Sequence, residues 1–359
     1  MSSRPLPRHP TRLLLRWLTA MLAVAFALGT AGAATAAERN NAKRVKTKPV
    51  TKHVVRAKSS KAVPQRHVVR ARSVAVVVEP ARPSFGQSYG LHKTEDALDL
   101  KSSVAFVVDQ ETSEVLFSKN SQAVLPIASL TKLMTALVVV EADLPLDEVL
   151  EVSDADIDTE KGSGSRLAVG TRMTREDMLH LALMSSENRA AHALGRHYPG
   201  GLSAFVQAMN FKAASLGMSA TRYVEPTGLS SHNQSSAPDL ARLVKAAYDY
   251  PLLRDFSTSR EAAVEVGHRT MQFHNTNGLI RNPTWDIGLQ KTGYIVEAGR
   301  CLVMQAQLAG RNLIMVFLDS AGKYSRIGDA ERVRRWLETE GLADAALCAS
   351  AATRIRTAH

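Results

Sequence analysis

A hydroxyl and an amine stand three residues apart in Ser129-Leu130-Thr131-Lys132. Leu130, Leu133, Met134, Leu137 and Val138 recur there at helical spacing, so a helix is expected from Ser129 to about Glu141, with both polar side chains on one face. In a first helical turn, unpaired backbone amides and the positive end of the dipole favour developing negative charge. That suits a serine that loses its proton to the neighbouring amine and is then acylated. The amine accepts a proton only when neutral, which at pH 7 costs about 4.6 kcal/mol from an unperturbed pKa of about 10.4. Burial and a second nearby cation would lower that cost, and Lys291 is a candidate for the cation.

Two more short patterns lie downstream. Ser186-Glu187-Asn188 falls on a polar connection between two apolar helical stretches. The first opens at Thr174, with Asp177 three residues on as in a capping box, and runs through Met178, Leu179, Leu181 and Ala182 to Met184; the second runs from Ala190 to His197. Lys291-Thr292-Gly293 occurs once, within an apparent strand. Singly, these patterns are weak. Ser320-Ala321-Gly322-Lys323 repeats the first, and Ser118-Lys119-Asn120 and Ser231-His232-Asn233 repeat the second. Read alone, Lys132 is a solvated helix lysine, and Ser186 and Asn188 are helix-breaking loop residues.

Order and context separate the readings. A helix-start Ser-x-x-Lys, an interhelical Ser-x-Asn and a strand Lys-Thr-Gly, in that sequence, form the three-part signature of penicillin-binding proteins and class A β-lactamases. From about Leu98 to Glu340 the chain resembles the low-molecular-mass penicillin-binding proteins of the D-alanyl-D-alanine peptidase family, and within it the D-alanyl-D-alanine endopeptidases. Ala128-Ser129-Leu130-Thr131-Lys132-Leu133-Met134-Thr135, Ser186-Glu187-Asn188-Arg189-Ala190-Ala191 and Lys291-Thr292-Gly293-Tyr294 carry the resemblance.

That resemblance implies an α+β fold of the β-lactamase and penicillin-binding transpeptidase type, an antiparallel sheet flanked by helices. It implies Ser129 as the acyl-ester nucleophile, Lys132 as its proton acceptor and Ser186 as a proton relay towards the leaving amine. Asn188 would orient the substrate amide, Lys291 and Thr292 would bind a substrate carboxylate or equivalent group, and Gly293 would let a peptide lie along the strand edge. The backbone amide of Ser129 and one from the strand after Gly293 would form an oxyanion hole. The implied partners are peptidoglycan stem peptides and β-lactams, with no metal and no organic cofactor.

Within that family, the expectation is a serine DD-endopeptidase that cuts D-Ala to diaminopimelate crosslinks. Carboxypeptidases of the family often carry a further C-terminal β domain, and this chain ends without one. A D-Ala-D-Ala carboxypeptidase is the first alternative. A β-lactamase is the next, but its deacylating Glu-x-x-Leu-Asn is matched only by Glu225-Pro226-Thr227-Gly228-Leu229, at a different spacing. A non-catalytic peptidoglycan-binding protein would have no need of Ser129 beside Lys132.

The elements that must hold these residues follow from patterning. Val104 to Val108 and Glu114 to Phe117 read as a hairpin, Gly288 to Tyr294, Cys301 to Leu308 and Leu313 to Leu318 as three consecutive strands, and Asp329 to Glu338 as a closing helix. Strands at both ends with helices between predict one sheet assembled from distant segments and covered by helices.

The N-terminal residues point to export. Arg4, Arg8, Arg12 and Arg16, the apolar stretch Trp17 to Leu28 and the small residues Ala34-Thr35-Ala36 read as a signal peptide over 1–37, so the protein is expected to be exported and periplasmic. Residues 38–90 read as a disordered basic linker, 91–342 as the catalytic domain and 343–359 as a short tail. The first 85 residues carry a net +15 against +11 for the whole chain, leaving −4 for residues 86–359. The linker could therefore associate loosely with anionic envelope polymers, whereas nucleic acid is not expected, because aromatic stacking residues are missing from the basic run. Cys301 and Cys348 are too few for a cysteine-built zinc site and could pair after export.

Overall fold

Strands buried on both faces lose the polar alternation of a half-exposed sheet, and that is how the long apolar runs near the C-terminus arise. The structure, a computed structural model, describes residues 82–266 and 269–339. A short helix α1 (Phe85–Ser88) precedes the hairpin β1 (Ser102–Asp109) and β2 (Val115–Lys119), then β3 (Leu125–Pro126) and α2 (Thr131–Glu141). β4 (Val149–Glu151) pairs with β5 (Arg172–Thr174), followed by α3 (Arg175–Met184), α4 (Asn188–Arg196) and α5 (Gly201–Ser215). β6 (Gln234–Ser235) pairs back with β3, ahead of α6 (Ala237–Tyr248) and α7 (Pro251–Thr258). A hairpin of β7 (Glu261–Val266) and β8 (Arg269–His274) leads to β9 (Asp286–Ile295), β10 (Gly299–Leu308) and β11 (Arg311–Ser320), and residues 325–339 form α8.

Five strands make one antiparallel sheet in the order β2-β1-β11-β10-β9. β1 pairs with β11 from Ser102 opposite Ser320 to Asp109 opposite Leu313, so the early hairpin and the late strands share one sheet. Val104, Phe106, Ile314, Val316 and Leu318 face the helical side, where they join Leu133, Leu240 and Val244. Ala105, Val107, Met304, Met315 and Phe317 face the opposite side and pack under Ala330, Val333 and Leu337 of α8. The α+β class with helices on both faces of an antiparallel sheet is the observed architecture. β9 lies at the sheet edge, with backbone groups on one side left for another chain to pair with. Among the described residues no helix is long and apolar enough to cross a membrane.

Three boundaries differ from the sequence reading. Ser129 sits in a 3-10 turn over Ala128–Leu130, one turn ahead of α2. Eclipsed i,i+3 side chains in such a turn still bring Ser129 and Lys132 together. At α3 only half a capping box forms: the Thr174 hydroxyl accepts from Asp177 N at 3.0 Å, and the Asp177 carboxylate accepts from that hydroxyl instead of reaching back to the backbone. Residues 82–90, assigned to the linker, are instead folded onto the sheet. The Ser84 and Gln87 side chains cap α1 reciprocally, and Phe85 N donates to Glu297 O at 2.9 Å. A Cβ on Gly86 would lie 2.1 Å from the Asp319 carboxylate, so glycine is what permits this seat. The proposed signal peptide, linker residues 38–81, the tail 343–359 and Cys348 lie outside the described residues.

α8 is stapled to the start of β1 by a buried carboxylate. Asp329 accepts from Lys101 N (3.0 Å), Ser102 N (2.8 Å), Ser102 Oγ (2.6 Å) and Arg332 Nη1 (2.7 Å), and it is 0% exposed. Replacing it with alanine strands those donors inside the protein, so Asp329→Ala is expected to lower unfolding stability by about 2–4 kcal/mol in denaturant titration.

Candidate active site

Close approach of three backbone segments sets the position of Ser129. Ala128, immediately before it, holds φ +47°, and Ser186 across the site holds φ +62°. Both are left-handed for residues with a Cβ, a conformation costing about 1–3 kcal/mol that persists only where the surroundings enforce it. At Ala128, glycines do so. A Cβ on Gly228, itself at φ +83°, would lie 1.9 Å from Ala128 O and 2.8 Å from Ser129 N. One on Gly293 would lie 3.0 Å from both Ile127 O and Ser129 N. The Ser129 amide is thus pressed against edge strand β9 at Gly293, and the Ser129 side chain is half-buried.

Lys132 rises from α2 into the same place and is completely buried. Its Nζ lies 3.0 Å from Ser129 Oγ, 2.7 Å from Asn188 Oδ1 and 2.6 Å from the Thr227 carbonyl oxygen. Burial lowers its pKa to about 8, although the charges of Glu225 and Glu187 pull the other way. Neutralising it at pH 7 then costs only about 1.4 kcal/mol. Neither glutamate touches the amine. Glu225 accepts from Thr227 N and Gly228 N at 2.6 Å and from Asn233 Nδ2 at 2.8 Å; Glu187 accepts from Ser165 Oγ at 2.7 Å and Arg166 Nε at 3.0 Å.

Ser186 lies between α3 and α4, and its hydroxyl receives a 2.9 Å hydrogen bond from Lys291 Nζ. Lys291 also donates to Thr292 O at 2.8 Å and is fully buried. Burial, then the nearby charges of Lys132 and Arg326, hold its pKa well below the usual lysine range. Asn188 opens α4; its oxygen accepts from Lys132, and its Nδ2 donates to Ser163 Oγ at 2.9 Å. The Thr292 hydroxyl pairs with that of Thr276 at 2.6 Å, and Thr276 N donates to Met184 O at the end of α3.

All seven residues singled out by sequence converge: Ser129, Lys132 and Asn188 form one hydrogen-bonded group, Ser186, Lys291 and Thr292 form another, and Gly293 lies against Ser129. Two are more committed than the motifs suggested, because both ends of the Asn188 amide are engaged and Lys291 faces Ser186 inside the protein. Sequence reasoning missed Thr227, whose carbonyl binds Lys132; its only signal was the turn-forming Pro226-Thr227-Gly228. It also missed Arg326, near the start of α8, whose Nε and Nη1 are buried without partners among the described residues, close enough to Lys291 for the two charges to oppose. No sequence pattern marks Arg326. Among the described residues, no group of three or more His, Cys, Asp or Glu could hold a metal ion.

Comparison with known proteins identifies the family and the fold. Residues 91–322 match the family described as D-alanyl-D-alanine carboxypeptidase. A D-alanyl-D-alanine endopeptidase of Pseudomonas aeruginosa is 54% identical over 243 residues, spanning 67% of this chain and 78% of that protein. The D-alanyl-D-alanine endopeptidase of Escherichia coli is 48% identical, with the same 67% and 78% coverage. Among solved structures, a Streptomyces DD-transpeptidase superposes with TM-score 0.62 at 26% identity, covering 70% of this chain and 99% of that one. A Mycobacterium tuberculosis D-alanyl-D-alanine carboxypeptidase gives TM-score 0.60 at 27% identity, covering 66% and 91% respectively.

The packing of Gly228 on Ala128 yields a direct test. Gly228→Ala forces both the positive φ and the overlap to relax, and is expected to lower stability by about 2–4 kcal/mol in denaturant titration; a fully stable variant would mean that the turn yields at no cost.

Proposed function

The chain belongs to the D-alanyl-D-alanine carboxypeptidase family and is a serine DD-peptidase, and from that premise we propose that it cleaves D-Ala-containing crosslinks of peptidoglycan through an acyl-enzyme at Ser129. The carrying observation is the set of contacts at Lys132. A neutral amine has two N–H donors and one lone pair. Asn188 Oδ1 and the Thr227 carbonyl take the two donors, which leaves the lone pair for the Ser129 hydroxyl at 3.0 Å.

In this reading Lys132 removes the Ser129 proton as Oγ attacks the D-Ala carbonyl. The oxyanion forms beside the Ser129 amide, where the close fit of Gly293 lets the substrate backbone lie along edge strand β9. Ser186 gives its proton to the leaving amine, Lys291 meets the charge left on its oxygen, and the proton held by Lys132 restores Ser186. Water then attacks the acyl-enzyme with Lys132 again as base. Thr292 and the unpaired N–H groups of Arg326 are donors available to the carboxylate on the leaving side.

Endopeptidase action is favoured because both curated relatives named above are endopeptidases. Release of free D-Ala from a monomeric pentapeptide, with the crosslinked dimer left intact, would instead assign a carboxypeptidase. Slow turnover of β-lactams is expected, because the carboxylates nearest Lys132, Glu225 and Glu187, are occupied by turn and loop donors and neither is placed to prime a hydrolytic water. The basic leader fits export and a loose hold on anionic envelope polymers.

Two outcomes follow. Penicillin treatment is expected to leave a long-lived adduct on the peptide containing Ser129, absent in Ser129→Ala, by intact-protein and peptide mass spectrometry. The acylation rate is expected to climb about tenfold per pH unit below about pH 8 and to level off above it, as Lys132 becomes neutral; Lys132→Arg, permanently protonated, abolishes it.

A further inference from the structure

Beyond Gly293, the edge strand leads into a second cleft that the chemistry at Ser129 does not use. Its volume is about 460 Å³, and Tyr294, Val296, Arg82, Arg300 and Lys323 form its walls, with Ser320 lining it as well. Thr292 and Tyr294 share one face of β9, since side chains alternate along a strand. Tyr294 is 52% exposed, and the guanidinium of Arg300, its partner across β10, lies 4.4 Å from the ring centroid.

Three cations surround this cleft with little to neutralise them. Among the described residues, none of Arg82, Arg300 and Lys323 has a carboxylate within ion-pairing distance. Of the acids nearby, Glu297 is paired with Lys161 at 2.6 Å, and Asp319 accepts from Ser103 Oγ at 2.7 Å while burial raises its pKa. Ser320 Oγ is an independent sign of a missing ligand: the residue is 3% exposed, and among the described residues the hydroxyl has no hydrogen-bond partner.

We propose that this cleft is a subsite for the carboxylates of the acyl-donor stem peptide, and this rests on the reading of Ser129 as the acylated serine. Ser186 and Lys291 mark the leaving-amine side of Gly293. A peptide laid along β9 must then carry its acyl side towards Tyr294 and Val296. At about 3.3 Å per residue, the next two or three residues of the donor reach the cleft. In a peptidoglycan stem those positions carry the side-arm carboxylate of the diamino acid and the α-carboxylate of γ-linked D-Glu. Arg300, Lys323 and Arg82 supply charge-assisted donors for them, and the Tyr294 ring supports the peptide between.

The test compares two stem-peptide substrates, one with free carboxylates at these two positions and one with both amidated, using whichever of the crosslinked dimer or pentapeptide the enzyme turns over. The parent enzyme is expected to prefer the free acids by about tenfold or more in kcat/KM, chiefly through KM, and in Arg300→Gln/Lys323→Gln the preference should fall to within about twofold of unity. Because the readout is a ratio within one enzyme, a variant that is merely less active does not mimic it. A parent that cleaves both substrates equally, or a double variant that keeps the preference, overturns the inference. A parent whose Ser129 is not acylated by penicillin overturns the proposed function itself, a separate failure.

Discussion

An amine with no exposure to water, two fixed acceptors and a lone pair facing the Ser129 hydroxyl is the constraint on which the site depends. Burying an ammonium is costly unless it is hydrogen-bonded, and a group that cannot be fully compensated lowers its pKa instead. Lys132 does both. It keeps its hydrogen bonds and falls to about 8, so a base is available near neutral pH without any external activator. The acceptors come from α4 and from the turn after Glu225, so the reactivity of Ser129 depends on segments far from it in sequence.

The same dependence explains why strain collects here. Positive φ at Ala128 and Ser186 is held by the packing of Gly228, by the edge of β9 at Gly293 and by the Lys291 hydrogen bond to Ser186. The five-stranded sheet supplies the rigid support: β9 is pinned by β10 over its whole length, β10 by β11, β11 by β1, and β1 in turn, through the Asp329 staple, by α8. Leaving β9 at the edge lets a substrate add as the next strand, and the cationic cleft beyond Tyr294 extends that same track.

Much of this was legible in the sequence because its causes are local. The hairpin of β1 and β2, the three late strands and the helices around Ser129 and Ser186 each show their period or turn chemistry within a dozen residues. The convergence of Ser129, Ser186 and Lys291 was legible only through the order of the three motifs, since no local rule brings together positions so far apart in the chain. What stayed hidden was contributed by backbone or by isolated side chains. A carbonyl such as that of Thr227 leaves no compositional mark, and Ser163 binds Asn188 only because the loop folds back on α4. Arg326 differs from other helix arginines only in what surrounds it. Residues 82–90 resembled the basic linker in composition, yet the cap at Ser84 and the fit of Gly86 against Asp319 fold them.

Direct titration of one amine tests the account most closely. With lysine labelled at the ε-carbon, the NMR signal that disappears in Lys132→Met should titrate near pH 8 in the resting protein. A midpoint above about 10, the range of a solvated lysine, would mean that the buried amine is held as a cation, and Ser129 would be left without its base.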